Sequence, residues 1–270
     1  METWKVACLD VWDAQVRRIV QEVAPVDLEL RFAASYDPAA QYALALDADV
    51  ILTGWAPVTA RMIEDTPRLR FVQKWGVGYD KIDLAAAKRR GIPVAICAGS
   101  NAGPVAEHAI ALMLAVYRQI PYVDHSLRQG RWLKQEMRSV CRQIKGKTVG
   151  LLGLGNIGRL VARKLGGFDV RLIYFDVHRA DAATEQALSL TYVDLAQLLA
   201  QADILSIHVP LLEATRGLIN AAAMAQMKDG AVIINTSRGG IVDESALYQA
   251  LQSGKLFGAG IDTHAVEPPP

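Results

Sequence analysis

Nine short apolar runs, separated by segments with helical periodicity, restrict this chain more than any other feature. The runs are WKVACLD (4–10), ADVILTG (48–54), LRFVQKWG (69–76), IPVAI (92–96), TVGLLG (148–153), VRLIYFD (170–176), ADILSIHVP (202–210), GAVIINTS (230–237) and LFGAGID (256–262). Each has the length of a buried strand rather than of a globular helix. The intervening segments include AQVRRIVQEVA (14–24), DLAAAKRRG (83–91) with a glycine suited to a helix end, VDLAQLLAQ (193–201), and a segment after Asp243, which is placed to cap it. Strands joined through helices pair in parallel, so the expectation is an α/β chain whose sheets carry helices on their faces.

The length of 270 residues exceeds what one core usually fills, which predicts two domains, 1–99 and 100–270. Between the two strand series lies PVAEHAIALMLAVY (104–117), apolar around most of its circumference and opening on Pro104, where a helix tolerates proline. A helix of that kind is expected to be buried between domains or subunits.

Composition excludes several classes of function. A net charge of +1 provides no field for nucleic acid or an anionic bilayer. No run reaches the roughly 18 uninterrupted apolar residues of a membrane span, and METWKVACLD, with Glu2, Lys5 and Asp10, lacks the pattern of a secretory signal. Cys8, Cys97 and Cys141 are scattered and form no CxxC pair, which argues against a disulfide framework or a zinc site and fits a reducing cytoplasm.

The fifth run breaks into Gly153-Leu-Gly155-Asn-Ile-Gly158 and resumes as an amphipathic segment. In such a turn the first glycine allows the tight bend, the second lets backbone approach a pyrophosphate, and the third lets helix and strand pack closely. The helix that follows offers unpaired N–H groups and a partial positive charge to phosphate. Asp176 ends the next run 18 residues beyond Gly158, near where a carboxylate accepts hydrogen bonds from the hydroxyls of an adenosine ribose. Like charge would repel a 2′-phosphate there, favouring NAD over NADP, although His178 and Arg179 stand close by. A plain tight turn and an ordinary strand-end carboxylate are the alternatives.

Ligands of open parallel sheets lie outside the carboxyl ends of the strands. Three ends in the second series carry reactive or polar residues: His208-Val209-Pro210, Asn235-Thr236-Ser237-Arg238-Gly239, and Asp262. The Arg238 fork could bind a carboxylate through two parallel hydrogen bonds, or make a structural ion pair. In the first series, Lys74-Trp75-Gly76-Val77-Gly78 follows a strand and could form an anion-binding concavity of backbone N–H groups; a surface turn with a solvated lysine is the alternative.

The motifs KWGVGYDKIDLAAAKRRGIPV, NAGPVAEHAIALMLAVYR, GKTVGLLGLGNIGRLVARKL, HVPLLEATRGLIN, NTSRGGIVDESALYQAL and GIDTHAVEP, in this order, resemble the D-isomer-specific 2-hydroxyacid dehydrogenases over nearly the whole chain. The resemblance implies a flavodoxin-like substrate domain and a doubly wound Rossmann domain holding NAD, with hydride transfer between nicotinamide and a small 2-oxo or 2-hydroxy acid of the glyoxylate, hydroxypyruvate, glycerate or phosphoglycerate type. It makes Arg238 the substrate-binding arginine, Glu267 the catalytic glutamate, and Gly76, Val77 and Gly78, with Lys74, the substrate-binding turn. Asn156 and Ile157, beside Gly153, Gly155 and Gly158, resemble the pyrophosphate contacts, and Asp176 the ribose acceptor. His208, Val209, Pro210, Thr215, Thr236, Ser237 and Asp262 fall around the nicotinamide half. The helix from Pro104 and the GRW sequence at 130–132 resemble a dimerisation element, implying a homodimer.

In that family a histidine beyond the glutamate exchanges the proton, and His108, His125, His178, His208 and His264 all fit other positions. The expectation is that the sequence belongs to a longer enzyme whose substrate domain is closed by a later segment. A cofactor-sensing protein resembling the C-terminal-binding co-repressors, and a phosphite-type dehydrogenase using Lys74 and Arg238, are the alternatives.

Overall fold

The computed structural model describes residues 3–267 and 269; Met1 and Glu2 of the opening segment and Pro268 of the VEP motif lie outside the described residues, as does Pro270. The chain divides into two compact units, Met1–Ser100 and Asn101–Pro270.

The first unit is a five-stranded sheet. Its strands are β1 (Trp4–Cys8), β2 (Leu28–Phe32), β3 (Val50–Thr53), β4 (Phe71–Lys74) and β5 (Val94–Ile96), joined by α1 (Ala14–Val23), α2 (Pro38–Ala45), α3 (Ala60–Asp65) and α4 (Leu84–Arg90). The order β2-β1-β3-β4-β5, parallel throughout, is flavodoxin-like. The sequence reading omitted β2, and the reason is positional. LELRF lies at a sheet edge, none of its residues is fully buried, and its polar alternation lacks the continuous apolar signal of a central strand. Leu9, Ile51, Ile63 and Val72 are fully buried in the core of this unit.

The second unit contains β6 (Thr148–Leu152), β7 (Arg171–Phe175), β8 (Leu190–Tyr192), β9 (Ile204–Ile207), β10 (Ala231–Asn235) and β11 (Leu256–Ile261). Its helices are α5 (Ala102–Tyr117), α6 (Ile120–Arg128), α7 (Asn156–Leu165), α8 (Ala182–Ala187), α9 (Leu195–Gln201), α10 (Ala221–Gln226) and α11 (Glu244–Gln252). The parallel order β11-β10-β9-β6-β7-β8 is that of a Rossmann sheet. A separate apolar cluster covers each face, one around Met113, Leu151 and Ile234, the other around Ile173, Leu205 and Ile233. Alternate residues of β10 serve opposite clusters, as the period of two requires.

Local chemistry explains the helix starts. Asp13, Asp37, Asp83, Asp181, Asp194 and Asp243 each accept a first-turn N–H through the side chain. Gly91, at the end of α4, adopts φ 65°, which a side chain would resist. α5 begins at Ala102 rather than Pro104; proline is harmless two residues further in because N–H groups of the first turn have no intrahelical acceptor. One side of α5 packs on β11, where a Cβ added to Gly258 would lie 2.7 Å from Val116 Cγ1, and one added to Gly260 would lie 2.8 Å from Leu112 Cβ. The two glycines of LFGAGI therefore let the helix lie directly on the strand.

Candidate functional site

In the second unit the chain runs from β6 outward to β8 and then returns to the opposite side of β6 as β9, so the strand order reverses between β6 and β9. That switch point is where open sheets of this kind bind ligands. The turn after β6 and the loop after β9 meet there. Gly153 has φ 97°, and a Cβ on it would lie 2.9 Å from both the His208 carbonyl carbon and Val209 Cγ1. Gly158 is equally constrained, since its Cβ would sit 2.4 Å from the Gly153 carbonyl oxygen. Gly155 differs: a Cβ there meets nothing within 4 Å. Two of the glycines are thus demanded by the fold, while the third opens onto free space.

α7 starts on Gly155 with no side-chain cap, so the first N–H groups, those of Asn156 and Ile157 among them, have neither an intrahelical acceptor nor a capping oxygen. Arg159 steadies the turn from within the helix by donating from Nε to the Leu154 carbonyl at 3.1 Å. Asp176 closes it from the neighbouring strand: its carboxylate accepts the Leu154 N–H at 2.7 Å and the His178 N–H at 2.9 Å. A carboxylate has about four acceptor positions, so it retains capacity for ribose hydroxyls.

Three buried side-chain atoms have no hydrogen-bond partner among the described residues: His208 Nδ1, Thr236 Oγ1 and Thr263 Oγ1. They follow β9, β10 and β11, three adjacent strands, and all lie toward the carboxyl edge. Buried polar groups are nearly always paired, so a row of unpaired ones along the ligand edge fits a polar ligand that completes them. Burial pushes the His208 imidazole down to about 4, which keeps the ring neutral, and its Nε2 lies 2.9 Å from Ser206 Oγ. Ser206 escaped the sequence reading because it sits in an apolar run where a hydroxyl gives no periodic signal, and Thr263 because it stands just beyond the last run, between Asp262 and His264.

The loop carrying Arg238 is organised by Asn235, fully buried at the end of β10. Its Nδ2 donates to the Arg238 carbonyl at 2.8 Å, and its Oδ1 accepts the Ser237 N–H at 3.1 Å and the Ser237 hydroxyl at 2.8 Å. Arg238 itself is half-buried, with Nη1 donating to the Ser237 carbonyl at 2.7 Å. Gly239 is required by close approach: a Cβ there would lie 1.9 Å from the His264 carbonyl carbon, so the loop holding Arg238 rests against the segment leading to Glu267. Glu267 is exposed, and its Oε1 accepts the His264 N–H at 3.1 Å. Asp262 Oδ1 lies 3.3 Å from His108 Nε2 on α5, a pairing that motif spacing did not suggest. Thr215 fastens its own loop, with its hydroxyl donating to the Pro210 carbonyl at 2.6 Å and accepting the Leu212 N–H at 2.8 Å.

In the first unit, Gly76 has φ 145° and its carbonyl accepts the Cys97 N–H at 2.9 Å. The Val77 and Gly78 N–H groups have no acceptor among the described residues, as an anion nest requires. Lys74 is not the solvated surface lysine weighed above. It is 6% exposed, and its ammonium donates to the Gly54 carbonyl, tying β4 to the loop after β3.

Comparison with known proteins follows the same division. Residues 110–270, more than half the chain, match the model of the D-isomer-specific 2-hydroxyacid dehydrogenase NAD-binding domain. The chain is 43% identical over 224 residues to a hydroxypyruvate reductase of Thermotoga maritima, covering 83% of this chain and 71% of that protein. It is 38% identical over 220 residues to a D-3-phosphoglycerate dehydrogenase of Archaeoglobus fulgidus, covering 82% of this chain but only 41% of the relative. Among solved structures, an NAD-dependent formate dehydrogenase from Staphylococcus aureus in complex with NAD superposes with a TM-score of 0.86 at 29% identity, over 98% of this chain and 83% of that one.

Proposed function

The chain belongs to the D-isomer-specific 2-hydroxyacid dehydrogenase family, and we propose that it is an oxidoreductase interconverting a 2-oxo acid and the corresponding D-2-hydroxy acid with NAD as its cofactor. The observation that carries this reading is the row of unpaired buried atoms on His208, Thr236 and Thr263 beside the open turn at Gly155, along one edge of the Rossmann sheet.

When bound, the nicotinamide supplies or accepts a hydride at its C4. The residues of this chain bind and orient. The Asn156 and Ile157 N–H groups hold the pyrophosphate, with Gly153 and Gly158 shaping the turn and Gly155 admitting the phosphate to the backbone. Asp176 takes the adenosine ribose hydroxyls. Val209, Pro210, Thr236, Ser237 and Asp262 surround the nicotinamide half with His208, whose neutral ring places no charge beside it, and Thr215 keeps the loop of Val209 and Pro210 in shape.

The Val77 and Gly78 N–H groups, presented by the bend at Gly76, receive the substrate carboxylate, and Lys74 ties the strand leading to that turn to the Gly54 carbonyl. In the second unit, Arg238 offers a planar fork suited to a substrate carboxylate and to charge on the reacting oxygen. Glu267 holds the group that exchanges a proton with that oxygen; a neighbouring carboxylate favours a protonated imidazole and so keeps the proton available for reduction. Trp132, 72% exposed, supports a homodimer, and the three free cysteines support a cytoplasmic location. No described helix is long and apolar enough to cross a membrane.

The test is NADH oxidation by the natural full-length protein with glyoxylate, hydroxypyruvate, pyruvate, phosphohydroxypyruvate and longer 2-oxo acids. Turnover of at least one, faster with NADH than with NADPH, is expected. Tight NADH binding with no oxidation across the panel would replace this reading with that of a cofactor sensor.

A further inference from the structure

The loops that follow β1, β2, β3 and β4 in the first unit each carry an aromatic residue: Trp12, Tyr36, Trp55, then Trp75 and Tyr79. Aromatics make up only 7% of the chain, yet three of its five tryptophans stand at this one sheet edge. Trp12 is half-buried against Phe32, but packing within the unit leaves the other four open to solvent. Tyr36 is 47% exposed, Trp55 41%, Trp75 44% and Tyr79 41%, although burying such side chains would stabilise the fold. They meet edge to face, Tyr36 with Trp55 at 5.2 Å between ring centroids and Trp12 with Trp75 at 4.7 Å. Lys81 Nζ lies 4.0 Å from the centre of the Trp55 ring.

The loops that carry Trp55 and Trp75 are fixed at the backbone. Asp10, 2% exposed, accepts the Trp55 and Ala56 N–H groups at 2.8 Å each and that of Gly54 as well. Lys74 holds the Gly54 carbonyl, and the Trp75 N–H donates to the Thr53 carbonyl at 2.7 Å. A fixed apolar surface binds with less loss of conformational entropy than a mobile one. Position identifies its occupant. Thr53 and Lys74 are register partners on adjacent strands, so Gly54-Trp55 and Trp75-Gly76 leave the sheet side by side, and Trp75 directly precedes the Gly76–Gly78 nest. The loops that carry Trp55 and Trp75 therefore border that nest.

We infer that these rings select the side chain of the substrate, and that the chain acts on 2-oxo acids bearing an aryl or other large apolar group rather than on glyoxylate or hydroxypyruvate. The inference rests on the dehydrogenase reading of the site. In the reductive direction C2 of the oxo acid gains a hydride, its carbonyl oxygen gains a proton, and NADH leaves as NAD+. Glyoxylate, which has no side chain, would leave the rings in water.

The experiment compares kcat/KM for phenylpyruvate, hydroxypyruvate and glyoxylate with NADH, using the natural full-length protein and its Trp55→Ala and Trp55→Phe variants. The phenylpyruvate to glyoxylate ratio is expected to exceed about 10 in the parent, to fall by about tenfold or more in Trp55→Ala, and to recover largely in Trp55→Phe. A preference for glyoxylate or hydroxypyruvate, or a ratio unmoved by Trp55→Ala, overturns the inference and leaves the dehydrogenase reading standing. Calorimetric titration with phenylpyruvate separates the reverse case. If no acid is reduced but phenylpyruvate binds and Trp55→Ala abolishes that binding, the aromatic site stands and the dehydrogenase reading falls; neither turnover nor binding overturns both.

Discussion

A Gly155→Ala substitution distinguishes a turn that holds a pyrophosphate from one that merely connects a strand to a helix. Gly155 has φ −75° and ψ −159°, open to alanine, and no atom lies within 4 Å of the added Cβ. The free protein therefore loses only the difference between glycine and alanine as an N-cap, about 1 kcal/mol or less, or roughly 2–4 °C in melting temperature for a domain of this size. In the complex the methyl group occupies the side from which phosphate reaches the first N–H groups of α7. Losing one charge-assisted hydrogen bond of about 1.5–3 kcal/mol raises the NADH Kd by roughly 10- to 100-fold. Isothermal titration with NADH and a thermal melt without cofactor measure the two quantities. Gly158→Ala serves as the contrast: its Cβ would collide with the Gly153 carbonyl oxygen at 2.4 Å, so it should lose about 1–3 kcal/mol with or without cofactor. An unchanged NADH Kd in a well-folded Gly155→Ala protein would refute the argument.

Asp176→Ala should weaken NADH more than NADPH and also lower the melting temperature, because the Leu154 and His178 N–H groups lose their acceptor; an unaltered cofactor ratio in binding titrations would remove Asp176 from cofactor selection. Arg238→Lys keeps the charge but loses the planar fork, and kcat/KM should fall by about 100-fold with NADH affinity unchanged; full steady-state activity would return Arg238 to a structural role. The His208 imidazole titrates at about 4 in the fold and 6.5 when unfolded, so below pH 6.5 the unfolded state binds the extra proton. Stability should thus decline by up to about 3 kcal/mol as pH falls from 6.5 to 4, with no such loss above 6.5. Urea melts at several pH values should show this decline and its flattening in His208→Gln; parallel curves would mean the ring is not held neutral.

What the sequence disclosed depended on how strongly burial marks a residue. Central strands such as VGLL and AVIIN are buried throughout and read as continuous apolar runs, whereas the edge strands β2 and β8, LELRF and LTY, carry a weak alternating signal and went unrecognised. Short helices such as α3 and α10, six residues each, offer too few turns for periodicity. The glycine turn was legible because close approach leaves a residue-specific trace. The jobs of Asn235, Asp10 and Lys74 were not, since each supports a loop through bonds to backbone whose position the sequence does not display. For Thr263 and the His108–Asp262 pair, only the parallel stacking of β11 beside β10 and under α5 brought the partners or the ligand edge into view.

The central claim is that a hydride moves between nicotinamide and C2 of an acid held in one orientation. It is tested most directly with NADH deuterated at the transferring position of nicotinamide C4, a 2-oxo acid that the natural full-length protein reduces, and chiral analysis of the product by mass spectrometry. Deuterium at C2 of the D-2-hydroxy acid is the result expected here. An unlabelled product, or label in the L-enantiomer, would contradict the account.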